Sequence, residues 1–575
     1  MILQALVKRY DSMTGTDDAV PYGWAIRDAV FALDLDENGV LHGLLSLEKQ
    51  DGEQRIRPQY LLPSEPVRSS GFKPAFLCDT AQYFFGLAIK NKSRGEKCFA
   101  ASKQLHVELL SKLDQPIANG IRRFFQTWKP EEAMDHPAIA PILLDNNRAK
   151  AFYQGRFVMQ VNGRYAQDSP EMKQVWDETL TSDGRERIRC LITGEWDAIE
   201  TLHKKITVHG VKSGSVPLIS VNQISFSSYG KSDKDPAAQI GKKAAHAYAS
   251  ALNALLKDET HHKRLGKDTL VYWSDGNGEA ESSAFTWIGD PKEEDNLKLD
   301  SIMVKYRKGE RLNIEKCNMD SAFYHLCLSP NSGRISVRFF HQSSFEKILS
   351  NNLDHYRQME IVMPKAEKFP FLPPWILLSE TTREKQAGSA SPLLGGQLMH
   401  SIISGEAYPR TLYTAILTRI RAGERVNRNK AAIIKAVLLR NFHENEVATV
   451  ALNELSDNIP YNLGRLFAVL ERLQQRSAKE QLNTTIRDRY FPSACANPGS
   501  VFPTILKLSM HHIAKLDNPV FFEKLKGELI SRLEAPSFFP ASLNLMEQGQ
   551  FIIGYYHQMQ DLFTSRKDKE ETNNV

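Results

Sequence analysis

Six cysteines in 575 residues are few, and no two of them form a C-x-x-C pair. Cys78, Cys98, Cys190, Cys317, Cys327 and Cys495 therefore offer neither the paired knuckles of a structural zinc site nor the dense framework of a secreted disulfide scaffold. They read as buried or idle thiols of a reducing compartment. Long apolar runs are missing too: no stretch approaches the roughly 18 residues that a membrane span requires. The opening MILQALVKRYDSM carries Lys8, Arg9 and Asp11 and lacks a small-residue cleavage site, so it does not read as a signal peptide. A cytoplasmic protein is expected. Neither sign of charge dominates: the net charge is +5, so any polyanion footprint must come from local clustering.

Catalytic signatures are equally scarce. There is no H-E-x-x-H, no G-x-S-x-G and no paired aspartate pattern of a two-metal nuclease. His261-His262 and His511-His512 are adjacent pairs, and neighbours on a helix point about 100° apart, which suits chelation poorly. His557 and Asp561 stand one helical turn apart, but no third ligand accompanies them. In LISVNQISFSSYGKSDKD (218–235), Gly230-Lys231-Ser232 ends like a phosphate-binding P-loop. That loop needs a glycine five positions before its Gly-Lys pair, and Ser225 occupies the position. The next helical pattern starts only near Pro236. What remains is a loop dense in Asn222, Gln223, Ser225, Ser227, Ser228 and Tyr229, ending in Gly230 and Lys231. Such groups suit sugar, phosphate and base edges, or simply a polar surface. No catalytic residue, metal or cofactor is assigned, and a binding protein is expected.

What is present is a change of texture along the chain. Asp36-Glu37-Asn38-Gly39 and Asn162-Gly163 each sit between apolar runs and predict hairpins. FLCDTAQYFFGL and KCFAASKQLHVELLSKL look helical. DTLVYW, AFYHLCL and GRISVRFF look like strands, the last with Ile335, Val337 and Phe339 on one face and Arg334 and Arg338 on the other. After the small and polar SETTREKQAGSASPLLGG, five segments from RTLYTAILTRIRAG to FEKLKGELISRLE carry apolar residues at three and four spacing. The expected class is α+β, a mixed strand and helix region followed by a C-terminal helical bundle. Its expected divisions are 1–217, 218–378, a linker over 379–396, the bundle over 397–565 and a disordered tail over 566–575.

The positive charge clusters in the bundle. Residues 400–479 hold twelve Lys or Arg against seven Asp or Glu. On the helix near 463–480, Arg465, Arg472, Arg476 and Lys479 fall within about 60° of one another, away from Leu466, Phe467, Leu470 and Leu473. With Arg419, Arg421, Arg425, Arg428, Lys430, Lys435 and Arg440, this predicts a polyanion groove beside a packed side.

Several stretches together resemble one family, the large subunit of the type I-C CRISPR effector complex, Cascade. They are MILQALVKRYD, VRSSGFKPAFLCDTAQYFFGL (67–87), CLITGEWDAIETLHKKI (190–206), SFSSYGK, YHLCLSPNSGRISVRFF (324–340), LKLSMHHIAKL and GYYHQMQDLF. The resemblance implies RNA-guided DNA surveillance, in which guide pairing reads the target and the large subunit reads a short flanking motif, the PAM, in duplex DNA. It implies as partners the guide RNA complex, with its backbone subunits and the subunit on the guide's 5′ end, and target double-stranded DNA. It further implies a separate helicase-nuclease, and small subunits made from the C-terminal region by internal translation, with Met399 a visible start. On this reading Arg68, Ser69, Ser70, Gly71 and Lys73, the 222–231 loop residues Asn222, Gln223, Ser225, Ser227, Ser228, Tyr229 and Lys231, and Arg334 and Arg338 contact duplex DNA. Arg419, Arg421, Arg428, Lys435, Arg465, Arg472, Arg476 and Lys479 would hold the displaced strand. The competing expectations are a scaffold without sequence preference, and a nuclease or NTPase whose site is assembled from distant residues.

Overall fold

The computed structural model describes residues 1–13, 20–51, 54–66, 68, 71–89, 91–181, 187–212, 214–220, 239–276, 278–364, 367, 370–478, 483–533 and 539–564. The fold is mixed, with small sheets in the N-terminal and central parts and helices dominating the C-terminal part. The chain forms two compact units. One gathers Met1–Arg9, His203–Ser220 and Ala251–Val575; the other gathers Tyr10–Leu202 and Val221–Ser250. Among the described residues no helix is long and apolar enough to cross a membrane.

In the unit built on Tyr10–Leu202, a five-stranded sheet runs Leu41–Ser46, Phe31–Leu35, Arg156–Val161, Cys78–Thr80, with Arg164–Tyr165 folded back on Arg156–Val161. Phe31–Leu35 and Arg156–Val161 pair in parallel, Leu33 opposite Met159, and the remaining pairs are antiparallel. Both predicted hairpin turns form. Asp36 Oδ1 accepts from the Asn38 and Val40 amides, each at 2.9 Å, and Gly39 takes a φ of +81°. Asn162 and Gly163 both have positive φ, the pairing a tight two-residue hairpin demands. The segment FLCDTAQYFFGL is helical only over Ala81–Phe84, because Cys78–Thr80 is taken up as a sheet strand.

Aromatic rings fill this core: Phe31, Phe85, Phe152 and Phe157 pack together, and Phe125 stacks on His106 at 4.2 Å. His106 is buried and its two nitrogens are both used. Nδ1 donates to the Ser102 carbonyl at 2.8 Å and Nε2 accepts from the Leu77 amide at 3.1 Å. Burial holds its pKa down to about 4, so it is a neutral structural histidine. By pinning Leu77, which has a φ of +59°, it also fixes where Cys78–Thr80 enters the sheet.

In the larger unit, the strands His262–Leu265, Asp268–Ser274, Ala322–Asn331 and Arg334–Ser344 form an antiparallel meander in that order. One face, with Leu270, Tyr272, Phe323 and Cys327, shares a continuous apolar core with the C-terminal helices through residues such as Leu398, Leu466 and Phe551. The stretch 379–396, linker-like in composition, is folded into this core. Glu380 accepts from Lys430 at 2.6 Å, Leu394 is fully buried, and the Gly396 amide donates to Asp268 at 3.0 Å.

The edge strand departs from simple alternation. Cys327 pairs with Phe339 but Leu328 pairs with Val337, which leaves Arg338 as the extra residue of a bulge. A one-residue slip turns side chains to the other face. Phe339 stays on the core side, whereas Val337 and Ile335 move to the side of Leu328 and Pro330, and the single predicted apolar row is divided.

The predicted bundle helices are observed at Arg410–Arg421, Arg428–Phe442, Ile459–Ser477, Pro498–Ile513 and Val520–Ser531. Leu394–Ser404, Ile486–Ala496 and Leu545–Phe563 add to them. Ile459–Ser477 and Leu545–Phe563 cross at Gly464 and Gly554, where a side chain on either glycine would run into the backbone carbonyl of Phe551 or Tyr461.

Candidate nucleic-acid interface

The loop between the strands Gln59–Pro63 and Cys78–Thr80 is closed by its own arginine. Arg68 donates to Asp79 Oδ2 at 2.5 Å and to the Lys73 carbonyl at 2.9 Å, and its guanidinium lies 4.2 Å from the Tyr83 ring centroid. Asp79 is buried and also accepts from the Ala75 and Thr80 amides, both at 2.8 Å. Burial pushes its carboxyl up to about 6, against the pull of Arg68 and the two amides. Arg68 is thereby committed to holding the loop, with roughly a quarter of its side chain left exposed.

Gly71, Phe72 and Lys73 are exposed on this loop. Gly71 has a φ of +76° with open space where a Cβ would sit, so its conformation rather than crowding favours glycine. Phe72 is 39% exposed, unusual for a large aromatic ring. Arg94 and Lys97 approach its ring at 5.8 and 6.0 Å. Both come from the first turns of Lys92–Leu110, whose start is fixed by Asn91 accepting from the Arg94 amide at 3.0 Å. That first turn holds no acidic residue, so Lys92 and Arg94 add to the positive end of the helix dipole instead of offsetting it. Sequence reasoning had not singled out Phe72, Arg94 or Lys97. The legible sign was the i, i+3 spacing of Arg94 and Lys97 on an exposed helix face.

The other predicted contacts separate. Ser69, Ser70, Asn222, Gln223, Ser225, Ser227, Ser228, Tyr229, Lys231 and Lys479 lie outside the described residues. Arg334 is exposed at the end of its hairpin. Arg338 is turned inward by the bulge, donating to Ser329 Oγ at 2.9 Å and standing 3.6 Å from the buried Asp268 carboxylate.

Burial divides the residues of the predicted groove. Arg428, Lys435 and Arg465 are 4, 2 and 3% exposed and hold internal acceptors: the Pro370 carbonyl at 2.6 Å, the Gln358 carbonyl at 3.0 Å, and Gln558 Oε1 at 3.1 Å. Arg419 pairs with Glu424 at 2.5 Å and Arg421 bonds to Gln548. Against the upward push of burial, Lys385, Arg419 and Lys430 hold the Glu424 carboxyl down to about 2. Lys430 itself bridges Glu380 and Glu424 at 2.6 and 3.2 Å, and Arg440 stacks on Tyr408 at 4.1 Å. Arg472 lies over Phe563 at 4.2 Å, and Arg476 is exposed. The cause is that residues 461–471 are buried on every side of the helix, so a face angularly distinct from the leucines is still interior.

Lys435 makes this testable. Burial lowers its pKa to about 8, so between about pH 8 and 10.5 the unfolded chain binds more protons than the folded one and stability rises with pH. Lys435→Met removes that penalty, about 3 kcal/mol, and loses one hydrogen bond worth about 1 kcal/mol. Urea denaturation should show a gain of about 1–2 kcal/mol at pH 7 that vanishes near pH 10.5. DNA binding by the variant should keep its salt dependence. A weakened, salt-flattened affinity would return Lys435 to the surface.

His557 is not a surface ligand beside Asp561. It is buried, its Nδ1 lies 3.0 Å from the Tyr461 hydroxyl, and burial holds its pKa down to about 3. His512 is 3.0 Å from Ser477 Oγ. His261 and His262 do point apart, the first toward Glu279 and the second to the Asp258 carbonyl.

The family model for CRISPR-associated protein (Cas_Csd1) matches residues 6–563. The chain belongs to the CRISPR-associated Cas_Csd1 family. The match takes in both units and all the C-terminal helices, so family membership covers the glycine-tipped loop and the bundle alike. No curated protein matches the chain.

Proposed function

We propose that this Cas_Csd1-family protein is the large subunit of a type I-C RNA-guided surveillance complex, and that it reads the PAM in duplex DNA through the loop bearing Gly71, Phe72 and Lys73. The observation that carries the reading is an exposed phenylalanine at a glycine-tipped turn, braced from behind by Arg68–Asp79 and surrounded by Lys73, Arg94 and Lys97. A backbone that approaches closely, a ring that can wedge between base steps and cations for phosphates are the parts that duplex opening needs. The loop over 222–231 would supply the amides and hydroxyls that read base edges. The chain acts as a binding protein rather than an enzyme. It joins the guide RNA complex with its backbone and 5′-end subunits, works beside separately translated small subunits and recruits the helicase-nuclease. Within the bundle, Arg472 and Arg476 are the cations placed to meet a displaced strand.

The test is a reconstituted complex with guide RNA, with or without this chain, offered target duplexes with randomised flanking trinucleotides at fixed salt. Motif selection should require the chain. Lys73→Glu with Arg94→Glu should weaken binding about tenfold and lower the slope of log K against log salt by about 0.9 for each phosphate that is no longer neutralised. Phe72→Ala should leave that slope alone and slow duplex opening, followed by a fluorescent base analogue beside the motif. Selection unchanged without the chain would leave a scaffold of no sequence preference. Metal- or ATP-dependent turnover by the purified chain would establish an enzyme.

A further inference from the structure

Asp258, His261 and Glu279 offer one ligand atom each, all within 4.8 Å of one another. They come from three places in the larger unit: the turn after the Lys242–Lys257 helix, the residue before the His262–Leu265 strand, and the first residue of the Glu279–Gly289 helix. The turn is held rigid. The His261 amide donates to the Asp258 carbonyl at 3.1 Å, and Asp258 Oδ1 accepts from the Thr260 amide and hydroxyl, both at 2.8 Å.

The orientation of His261 is the independent observation. Its ring is buried, and Nδ1 lies 3.1 Å from the Tyr272 carbonyl oxygen, a group outside the cluster that can only accept. Nδ1 therefore carries the hydrogen, which in the neutral ring leaves the lone pair on Nε2. That atom faces Glu279 Oε2 at 2.9 Å. The contact needs a shared cation, either a proton on Nε2 or a metal ion in its place, and an imidazole that donates its far N–H to a carbonyl is oriented as metal-binding histidines are. Arg9 takes the other Glu279 oxygen at 2.8 Å and leaves Oε2 to the site. Asp258 and Glu279 are exposed, so an ion has a way in from solvent.

We propose that Asp258, His261 and Glu279 bind one divalent transition-metal ion of the zinc or manganese class, with water completing its coordination. One imidazole and two carboxylates suit such borderline ions, and suit neither a thiolate-seeking ion nor calcium, which takes oxygen alone. The ion would fasten three chain segments and, through Glu279, the chain at Arg9. The adjacent guanidinium lowers its affinity without occupying a ligand position.

The full-length protein, treated with chelator and dialysed, is titrated with Co²⁺ watched by visible absorption and with Zn²⁺ by calorimetry. One equivalent should bind. Asp258→Asn and Glu279→Gln, which preserve size, should each weaken it at least tenfold, with the circular dichroism unchanged. Asp258 is exposed and in a turn, so its variant keeps the test independent of folding. Absence of saturable binding, or binding indifferent to both variants, would overturn the site. So would nitrogen-15 spectra in which both His261 nitrogens stay protonated at saturating Zn²⁺, for the cation would then be a proton.

Discussion

Gly464→Ala lowers the melting temperature by about 10 °C, and Gly554→Ala does the same. On an exposed helix this substitution stabilises, because alanine is favoured over glycine by about 1 kcal/mol. The sign reverses because the Ile459–Ser477 and Leu545–Phe563 helices meet backbone to backbone. A methyl on Gly464 falls on the Phe551 carbonyl and one on Gly554 falls on the Tyr461 carbonyl. Neither obstacle is the end of a flexible side chain, so the helices must part. Parting them opens space around Phe467, Phe491, Phe551 and Tyr555, whose rings lie 4.8 to 6.2 Å apart. Overpacking plus the loosened rings costs about 3–5 kcal/mol. At about 2–4 °C per kcal/mol for a unit of this size, a drop near 10 °C follows. Thermal unfolding followed by near-ultraviolet circular dichroism reads it directly. An unchanged or higher melting point for both variants would mean that the two helices do not cross at these residues.

Much of the fold was legible because its signals are local. The Asp36–Gly39 and Asn162–Gly163 turns carry their chemistry within four residues, and five bundle helices announce themselves by spacing. What was illegible involved a partner distant in sequence. Cys78–Thr80 became a strand because Arg156–Val161 lies beside it, overriding a helical pattern. The bulge at Arg338 is set by the pairing with Ala322–Asn331, and no residue type along GRISVRFF declares it. The segment 379–396 has the composition of a linker, yet Glu380 and Gly396 answer to Lys430 and Asp268.

The candidate site divided in the same way. Gly71 and Lys73 were legible from a glycine among small and basic residues, and both are exposed. Arg68 was legible as a cation but its duty was not, since Asp79 and Tyr83 become its neighbours only when the loop closes. Phe72 went unnoticed because a lone phenylalanine is ordinarily core. Arginine counts in the bundle were silent about burial. A surplus of positive charge says nothing about which side chains find carbonyls and amides inside.

Arg465→Ala destabilises the bundle by about 3–5 kcal/mol, and its effect on DNA binding follows from that loss. The guanidinium is 3% exposed and pairs with no carboxylate among the described residues. Its charge is met by oxygens alone: Gln558 Oε1 and Asn462 Oδ1 at 3.1 Å, the Glu454 carbonyl at 3.2 Å and the Asn453 carbonyl at 3.4 Å. Burial accordingly lowers its pKa. Truncation leaves those acceptors dry and a cavity beside them, and each unsatisfied group costs about 1–3 kcal/mol. Arg465→Lys keeps the charge but reaches fewer of the four acceptors, so it should fall between. Arg476→Glu sits at the exposed end of the same helix and should change stability by no more than about 0.5 kcal/mol. Only this second variant can alter the salt slope of single-strand binding without altering the melting point. Measuring both quantities on both variants separates a cation that builds the helix packing from one that meets a polyanion. A folded Arg465→Ala protein with a reduced salt slope would restore the continuous positive stripe.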